Sequence, residues 1–204
     1  MNPEIKGFLE KQGVKLDRTQ ETKLADYRKM IIDVSARMNL VSSGDLDRLE
    51  ELHFTDSLAP AGIIPYSSRI ADWGSGAGLP GIPLAIARPD LKITLVESKR
   101  KKASFLIRIK RELEIENIRV FPDRGESITD NFQVITVRAI GRITDVMPGI
   151  TEHLADHGGI LFYKGPGADD ELTEVSAIIQ GFKLKRRDLR LPSGERRSYL
   201  YIFR

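Results

Sequence analysis

The period of the apolar positions changes once along the chain, near residue 65. Before it, Leu24, Tyr27, Ile31, Val34 and Met38 recur at helical spacing, and Asp17 with Gln20 has the form of a capping box at the helix start. A shorter helix is predicted over Asp45 to His53, and residues 3 to about 60 contain no convincing strand. The run from Pro60 to Ser68 is broken by Pro60, Gly62 and Pro65 and marks the transition. From Arg69 the pattern alternates. Apolar strands are predicted at 69–73, 92–97, 118–121, 132–138 and 158–164, with helices at about 80–88, 99–114, 145–156 and 169–181 between and after them. Two terminal strands, at about 182–188 and 198–203, have no helix between them and read as a hairpin turning through Leu191-Pro-Ser-Gly-Glu. The chain therefore divides into an N-terminal helical cap, residues 1–64, and an α/β domain, residues 65–204, whose strand–helix alternation predicts a mostly parallel, doubly wound sheet.

Residues 70 to 81 carry the strongest chemical signal: an apolar strand ends in Asp72 and runs into a loop with Gly74, Gly76, Gly78 and Gly81. Glycines there can take positive φ and let a ligand approach bare backbone, and Pro80 suits the start of the following helix. Such a loop is a nucleotide cradle at a helix N-terminus. Two registers fit it. Gly76, Gly78 and Gly81 match Gly-x-Gly-x-x-Gly with Glu97 about 20 residues on, as in dinucleotide folds. Asp72, Gly74, Gly76 and Gly78 match Asp-x-Gly-x-Gly-x-Gly, which resembles the first motif of S-adenosylmethionine-dependent methyltransferases. In that register Asp72 can face the cationic methionine end of the cofactor. A tight strand-to-helix turn with no ligand is the bland alternative.

Ligands of doubly wound sheets lie outside the carboxyl ends of the strands. Those ends offer Asp72, Glu97, Asp123 with Gly125 and Glu126, Arg138, and Lys164. Glu97 can accept hydrogen bonds from ribose hydroxyls, or simply cap the helix that starts near Lys99. Gly125 leaves room for an adenine ring, although Pro122-Asp-Arg-Gly also reads as a plain turn. The fourth strand ends in Thr136-Val-Arg138-Ala, where methyltransferases acting on exocyclic amines resemble one another in an Asn/Asp-Pro-Pro-aromatic tetrad. The chain has no cysteine. That excludes disulfides, thiol catalysis and the cysteine nucleophile of cytosine C5 methylation. His153 and His157 stand four apart without a third ligand, so no metal is expected.

Composition adds less. The 204 residues are 41% hydrophobic with a net charge of +3, no apolar run approaches a membrane span, and the first residues lack the apolar stretch of a signal peptide, so a soluble, cytoplasmic protein is expected. Two basic groups, Lys99-Arg100-Lys101-Lys102 and Lys183 to Arg197, could track phosphates or be solvated surface.

Set together, Met38-Asn-Leu-Val, His53-Phe-Thr-Asp-Ser-Leu58, Asp72 through Pro83, Asn117-Ile, Val137-Arg-Ala139, Tyr163-Lys-Gly165 and Gly194-Glu-Arg resemble the RsmG (formerly glucose-inhibited division protein B) family of bacterial rRNA methyltransferases, over nearly the whole chain. The resemblance implies a Rossmann-like, seven-stranded class I methyltransferase sheet that binds S-adenosyl-L-methionine and methylates guanine N7 of 16S ribosomal RNA, as naked RNA or in the small-subunit particle, and acts as a monomer. It further implies that Gly74 and Leu79 line the cofactor, that Gly125 and Glu126 hold its adenosine part, and that Arg138 completes the pocket. Asn39, His53, Asp56 and Ser57 would face the methyl group from the cap, with Lys164 and Arg196 or Arg197 near the RNA. Two departures stand out: Trp73 is bulky where relatives often carry a small apolar residue, and Gly125 replaces a common small side chain. A nicotinamide-dependent oxidoreductase and an RNA-binding assembly factor are the alternatives on the residues alone.

Overall fold

The computed structural model describes residues 1–35, 37–175 and 179–204. Its seven strands form one sheet in the order β3-β2-β1-β4-β5-β7-β6, with β1 Arg69–Trp73, β2 Lys92–Val96, β3 Ile118–Phe121, β4 Phe132–Arg138, β5 Leu154–Lys164, β6 Lys183–Arg190 and β7 Arg196–Phe203. The first five are parallel and β7 runs antiparallel to both neighbours, so the terminal hairpin is antiparallel as the sequence implies. The helices are α1 Pro3–Lys11, α2 Arg18–Ser35, α3 Thr55–Leu58, α4 Gly81–Ala87, α5 Arg100–Glu112, α6 Ile143–Ile150 and α7 Ala168–Val175. No helix among the described residues is long and apolar enough to cross a membrane.

The sheet is buried on both faces, which is why its strands read as near-continuous apolar runs. Alternation assigns each residue a side. Ile70, Val134, Leu161, Tyr163 and Tyr199 face one core, shared with α1, α2, α4 and α5, while Ala71, Trp73, Ile135, Val137, Phe162 and Leu200 face the other, under α6 and α7. The N-terminal segment belongs to the first core: Ile5, Leu9, Leu24, Tyr27, Ile31 and Phe54 are all buried in it.

The capping box of α2 forms in both directions, Gln20 N–H donating to Asp17 Oδ1 at 2.8 Å and Asp17 N–H to Gln20 Oε1 at 2.9 Å. Gln20 Nε2 also donates to the Ile86 carbonyl at 2.8 Å, which ties this cap to the end of α4.

Several boundaries differ from the sequence reading. The helix expected over Asp45 to His53 is a 3-10 turn, Ser43–Arg48, followed by a π-helical turn, Leu49–Phe54, that runs into α3. The wide turn is closed by the Thr55 N–H and hydroxyl, which both donate to the Glu50 carbonyl. The helix expected over 145–156 ends at Ile150, after the helix breakers Pro148 and Gly149, and β5 begins four residues earlier than expected, with a register shift between Phe132 and Val134 of its partner. His153 and His157 therefore lie in a 3-10 turn and a strand rather than on one helix. Of the helix expected over 169–181, α7 covers 168–175; positions 176–178 lie outside the described residues.

Candidate active site

β1 stops at Trp73 because Gly74, Gly76 and Gly78 follow in left-handed conformations, with φ of +69°, +58° and +99°. A side chain at Gly74 would be doubly excluded, since its Cβ would stand 2.6 Å from Ile140 Cγ2. Ile140 follows Ala139, itself held at φ +57°, an uncommon conformation for a residue with a Cβ. The loop after β4 thus folds over the loop after β1.

Between them a cavity of about 480 Å³ opens at the carboxyl ends of β1, β2 and β4, lined by Gly74, Gly76, Leu79, Glu97, Arg138 and His53 among others. That volume lies within the usual range for a small-molecule site, about 300–1,000 Å³. A second cavity, about 520 Å³, lies between the amino ends of β2 and β3, where Arg69, Lys92, Asn117 and Arg119 line it. It holds none of the expected site residues.

Asp72 is almost wholly buried and is not on the cavity wall. Its Oδ1 accepts from Thr136 Oγ1 at 3.0 Å and its Oδ2 from Gly81 N at 3.2 Å, so the acid fastens the start of α4 to β4 from behind the loop. Burial pushes its carboxyl up to about 6, against the lowering effect of these hydrogen bonds. Asp72 therefore reaches the glycine loop from behind, through the Gly81 N–H, rather than from the cavity wall. Gly78 also stands behind the wall, where a Cβ would meet Ile82 at 2.5 Å and the Tyr27 hydroxyl at 3.0 Å. Tyr27 donates to the Ala77 carbonyl at 2.7 Å while its ring stacks on Phe54, so the helical segment holds the glycine loop directly.

Glu97 closes β2 on the wall. Its Oε2 accepts from Gly76 N at 2.9 Å and its Oε1 from Lys99 N at 2.8 Å, leaving one lone pair on each oxygen for a ligand. Both of its expected roles, ligand acceptor and helix cap, are thus compatible with one geometry.

Arg138 and the segment His53 to Ser57 meet. Arg138 Nε stands 3.0 Å from Asp56 Oδ2, and its Nη2 lies 2.6 Å from His53 Nδ1. Asp56 is buried and receives a second cation, Arg197, at 3.6 Å, and the Tyr199 hydroxyl at 2.9 Å. Burial and the Arg138 charge lower His53 to about 4, so the ring is neutral at pH 7. With Nδ1 accepting from arginine, the ring proton is on Nε2, 3.5 Å from Asp45 Oδ2. Ser57 is spent locally, its hydroxyl donating to the His53 carbonyl at 2.7 Å, and Tyr163 donates to the Ser57 carbonyl at 3.2 Å. Asn39 is exposed beside the wall residues Leu40, Val41 and Ser42.

The remaining expected residues lie apart. Lys164 Nζ is held by Glu171 at 2.8 Å and by the Gly141 carbonyl at 2.9 Å, so it clamps the loop after β4 to α7 and is not on the wall. Glu126 is exposed away from the wall. Gly125 is buried, and the space a side chain would take there is filled by Trp73: its Cβ would lie 2.0 Å from Trp73 Cζ2. The absence of a side chain at Gly125 thus makes room for the indole of Trp73, and the two departures from the family pattern are one complementary pair. Sequence reasoning missed Ser42 and Ile140 on the wall and Tyr199 on Asp56, which no local pattern marks; Lys102, read only as part of a basic group, also reaches the wall. Among the described residues, no group of three His, Cys, Asp or Glu is arranged to hold a metal ion.

A family model described as rRNA small subunit methyltransferase G matches residues 20–198. The chain is 40% identical over 184 residues to ribosomal RNA small subunit methyltransferase G of Sorangium cellulosum, covering 85% of this chain and 77% of that protein. It is 34% identical over 192 residues to the protein of the same name from Lactobacillus delbrueckii subsp. bulgaricus, covering 88% and 80%. Among solved structures, a SAM-dependent methyltransferase from Aquifex aeolicus superposes with a TM-score of 0.57 at 16% identity, covering 77% of this chain and 92% of that one, a likeness of fold.

Proposed function

Because the chain belongs to the rRNA small subunit methyltransferase G family, we propose that it transfers the methyl group of S-adenosyl-L-methionine to N7 of a guanine in 16S ribosomal RNA. The observation that carries the choice of acceptor atom is that neither candidate base on the described cavity wall stands ready for the acceptor. The Nδ1 lone pair of neutral His53 is taken by Arg138, and Glu97, whose oxygens accept the Gly76 and Lys99 N–H groups, has its remaining lone pairs assigned to the ribose hydroxyls of the cofactor. Lys99, Lys102 and Arg138 complete the titratable wall residues, and all are cations. An exocyclic amine or a hydroxyl needs a proton removed as it is methylated. Guanine N7 carries no proton and presents an in-plane lone pair, so placement in line with the methyl group suffices.

The cavity suits the cofactor. Gly74 and Gly76 present bare backbone, Leu79 an apolar wall and Glu97 two free lone pairs at the position for ribose hydroxyls. When bound, the cofactor supplies an electrophilic sulfonium methyl. Arg138, fixed by Asp56 and His53, lies where it can meet the cofactor carboxylate, and its cationic neighbours suit a polyanionic acceptor. We assign Gly125 and Glu126 to the adenosine side through the position of their loop after β3. Asn39, His53, Asp56 and Ser57 are assigned to the acceptor side, with Asp56 and Ser57 acting through the residues they hold. In this reading residues 1–64 form the cap and 65–204 the methyltransferase domain of a cytoplasmic monomer.

The test is incubation with labelled cofactor and 16S rRNA, naked and in small subunits, from a strain lacking this methylation. Methylation at N7 puts positive charge on the imidazole ring and opens the nucleoside to reductive, aniline-induced scission, so one new break in the rRNA is expected. Label on an exocyclic amine, a ribose hydroxyl or protein refutes the acceptor assignment.

A further inference from the structure

The sequence holds two basic groups, and the fold treats them differently. In the C-terminal group, Arg186 pairs with Asp169 and, at 2.8 Å, with Asp188; Arg187 donates to Gln12 Oε1 at 2.5 Å; Arg197 faces buried Asp56; and Lys185 lies over the Phe203 ring at 5.2 Å. Much of that charge is consumed within the protein. Arg190 and Arg196 have no side-chain partner among the described residues and stand opposite one another, but on the hairpin at the far edge, four and three strands from β1.

The group at the start of α5 is the reverse. No side chain of Lys99, Arg100, Lys101 or Lys102 makes an ion pair or hydrogen bond among the described residues, and the first three are exposed. Lys99 and Lys102 reach the cavity wall, and Arg100 and Lys101 continue the same patch outward. Four adjacent cations repel one another, and they occupy the N-cap and first turn of a helix, the end that disfavours positive charge; α5 has no acid in its first turn, and Glu97, which precedes it, accepts only the Lys99 backbone N–H of this group. The arrangement disfavours the free protein and suits one that meets a polyanion at the cavity mouth.

We infer that the exposed turn Lys99–Lys101 is the docking surface for the phosphates of the RNA strand bearing the target base, and that Arg186, Arg187 and Arg197 are internal struts with no part in RNA affinity. The inference rests on the rRNA methyltransferase reading above. Arg100 and Lys101 lie outside the cavity wall, so they carry RNA affinity without touching the cofactor.

The test compares R100Q/K101Q with R186Q/R187Q and R190Q/R196Q. Binding to unmethylated 16S rRNA, or to small subunits if the wild type prefers them, is measured as a function of salt, and S-adenosylhomocysteine binding by calorimetry. Each phosphate contact contributes about 0.7 to 0.9 to the slope of log K against log salt. R100Q/K101Q should therefore flatten the slope by about 1.4 to 1.8. Between 50 and 200 mM salt the wild type should lose roughly 7- to 12-fold more affinity than this variant. S-adenosylhomocysteine affinity should be that of the wild type, and R186Q/R187Q should keep the full slope. An unchanged slope in R100Q/K101Q, or an equal loss in either other variant, overturns the inference. If the wild type binds S-adenosylhomocysteine but methylates no RNA, the functional reading fails instead.

Discussion

Replacing Gly125 by alanine tests the pairing of Trp73 with the loop after β3. The added Cβ would lie 2.0, 2.4 and 2.6 Å from Trp73 Cζ2, Cε2 and Cη2. Ordinary contact begins near 3.4 Å, so loop or indole must shift by more than 1 Å. The indole is only 9% exposed and lies against His153 at 5.1 Å between ring centroids, so it has little freedom. The loop is exposed on both sides of Gly125 and will give way first. Overpacking of this kind costs about 1–3 kcal/mol. Part should appear as a lower urea midpoint and part as weaker S-adenosylhomocysteine binding, because the displaced loop is the one assigned to adenosine. Trp73→Leu removes the obstructing ring, so W73L/G125A should be less impaired than the sum of the single variants, with a coupling of about 0.5–3 kcal/mol. Urea titrations and calorimetry on all four proteins decide it. A G125A protein equal to wild type in both, or a cycle that adds to zero coupling, refutes the pairing.

Glu97→Ala removes two accepted backbone bonds and the ligand's acceptor. Hydrogen bonds to a charged group are worth about 1.5–3 kcal/mol, so S-adenosylhomocysteine should bind roughly 10- to 150-fold more weakly by calorimetry. Asp72, raised by burial from 3.8 to about 6, holds its proton more tightly folded than unfolded. Its favourable contribution is therefore full below about pH 4 and is lost as pH rises through 6, and relative to D72N the wild type should lose about 3 kcal/mol of unfolding free energy across that window, read from urea midpoints. A difference that does not vary with pH would mean Asp72 titrates normally. Lys164→Met breaks a partly buried pair and should lower stability by about 1–3 kcal/mol while leaving the salt slope of RNA binding unchanged, which separates a clamp from an RNA contact.

The strands of the sheet were legible because both faces are buried and apolar residues mark them without ambiguity. The left-handed turn at Gly74, Gly76 and Gly78 was legible because backbone conformation limits what can occupy those positions. Position at a strand end does not reveal which way an acid points: the hydrogen bonds to Thr136 and Gly81 that turn Asp72 inward come from different elements. The partner of Lys164 was hidden for the same reason, since Glu171 reaches it only after α7 has packed. The early start of β5 follows from pairing with Phe132, a long-range contact that no local window contains.

The burial of the N-terminal helices in the sheet's own core bears on how the chain is made. Synthesis runs from α1 onward, so Leu9, Tyr27 and Ile31 leave the ribosome before any strand exists to cover them. The Tyr27 hydroxyl waits for the Ala77 carbonyl, Gln20 for Ile86, and Asp56 for Arg138 and Tyr199. Because β7 lies between β5 and β6, the seventh strand in chain order is inserted inside the sheet, where it covers β5 and Asp56 together. Loss of β7 would therefore expose the edges of β5 and β6 and the Asp56 side chain at once.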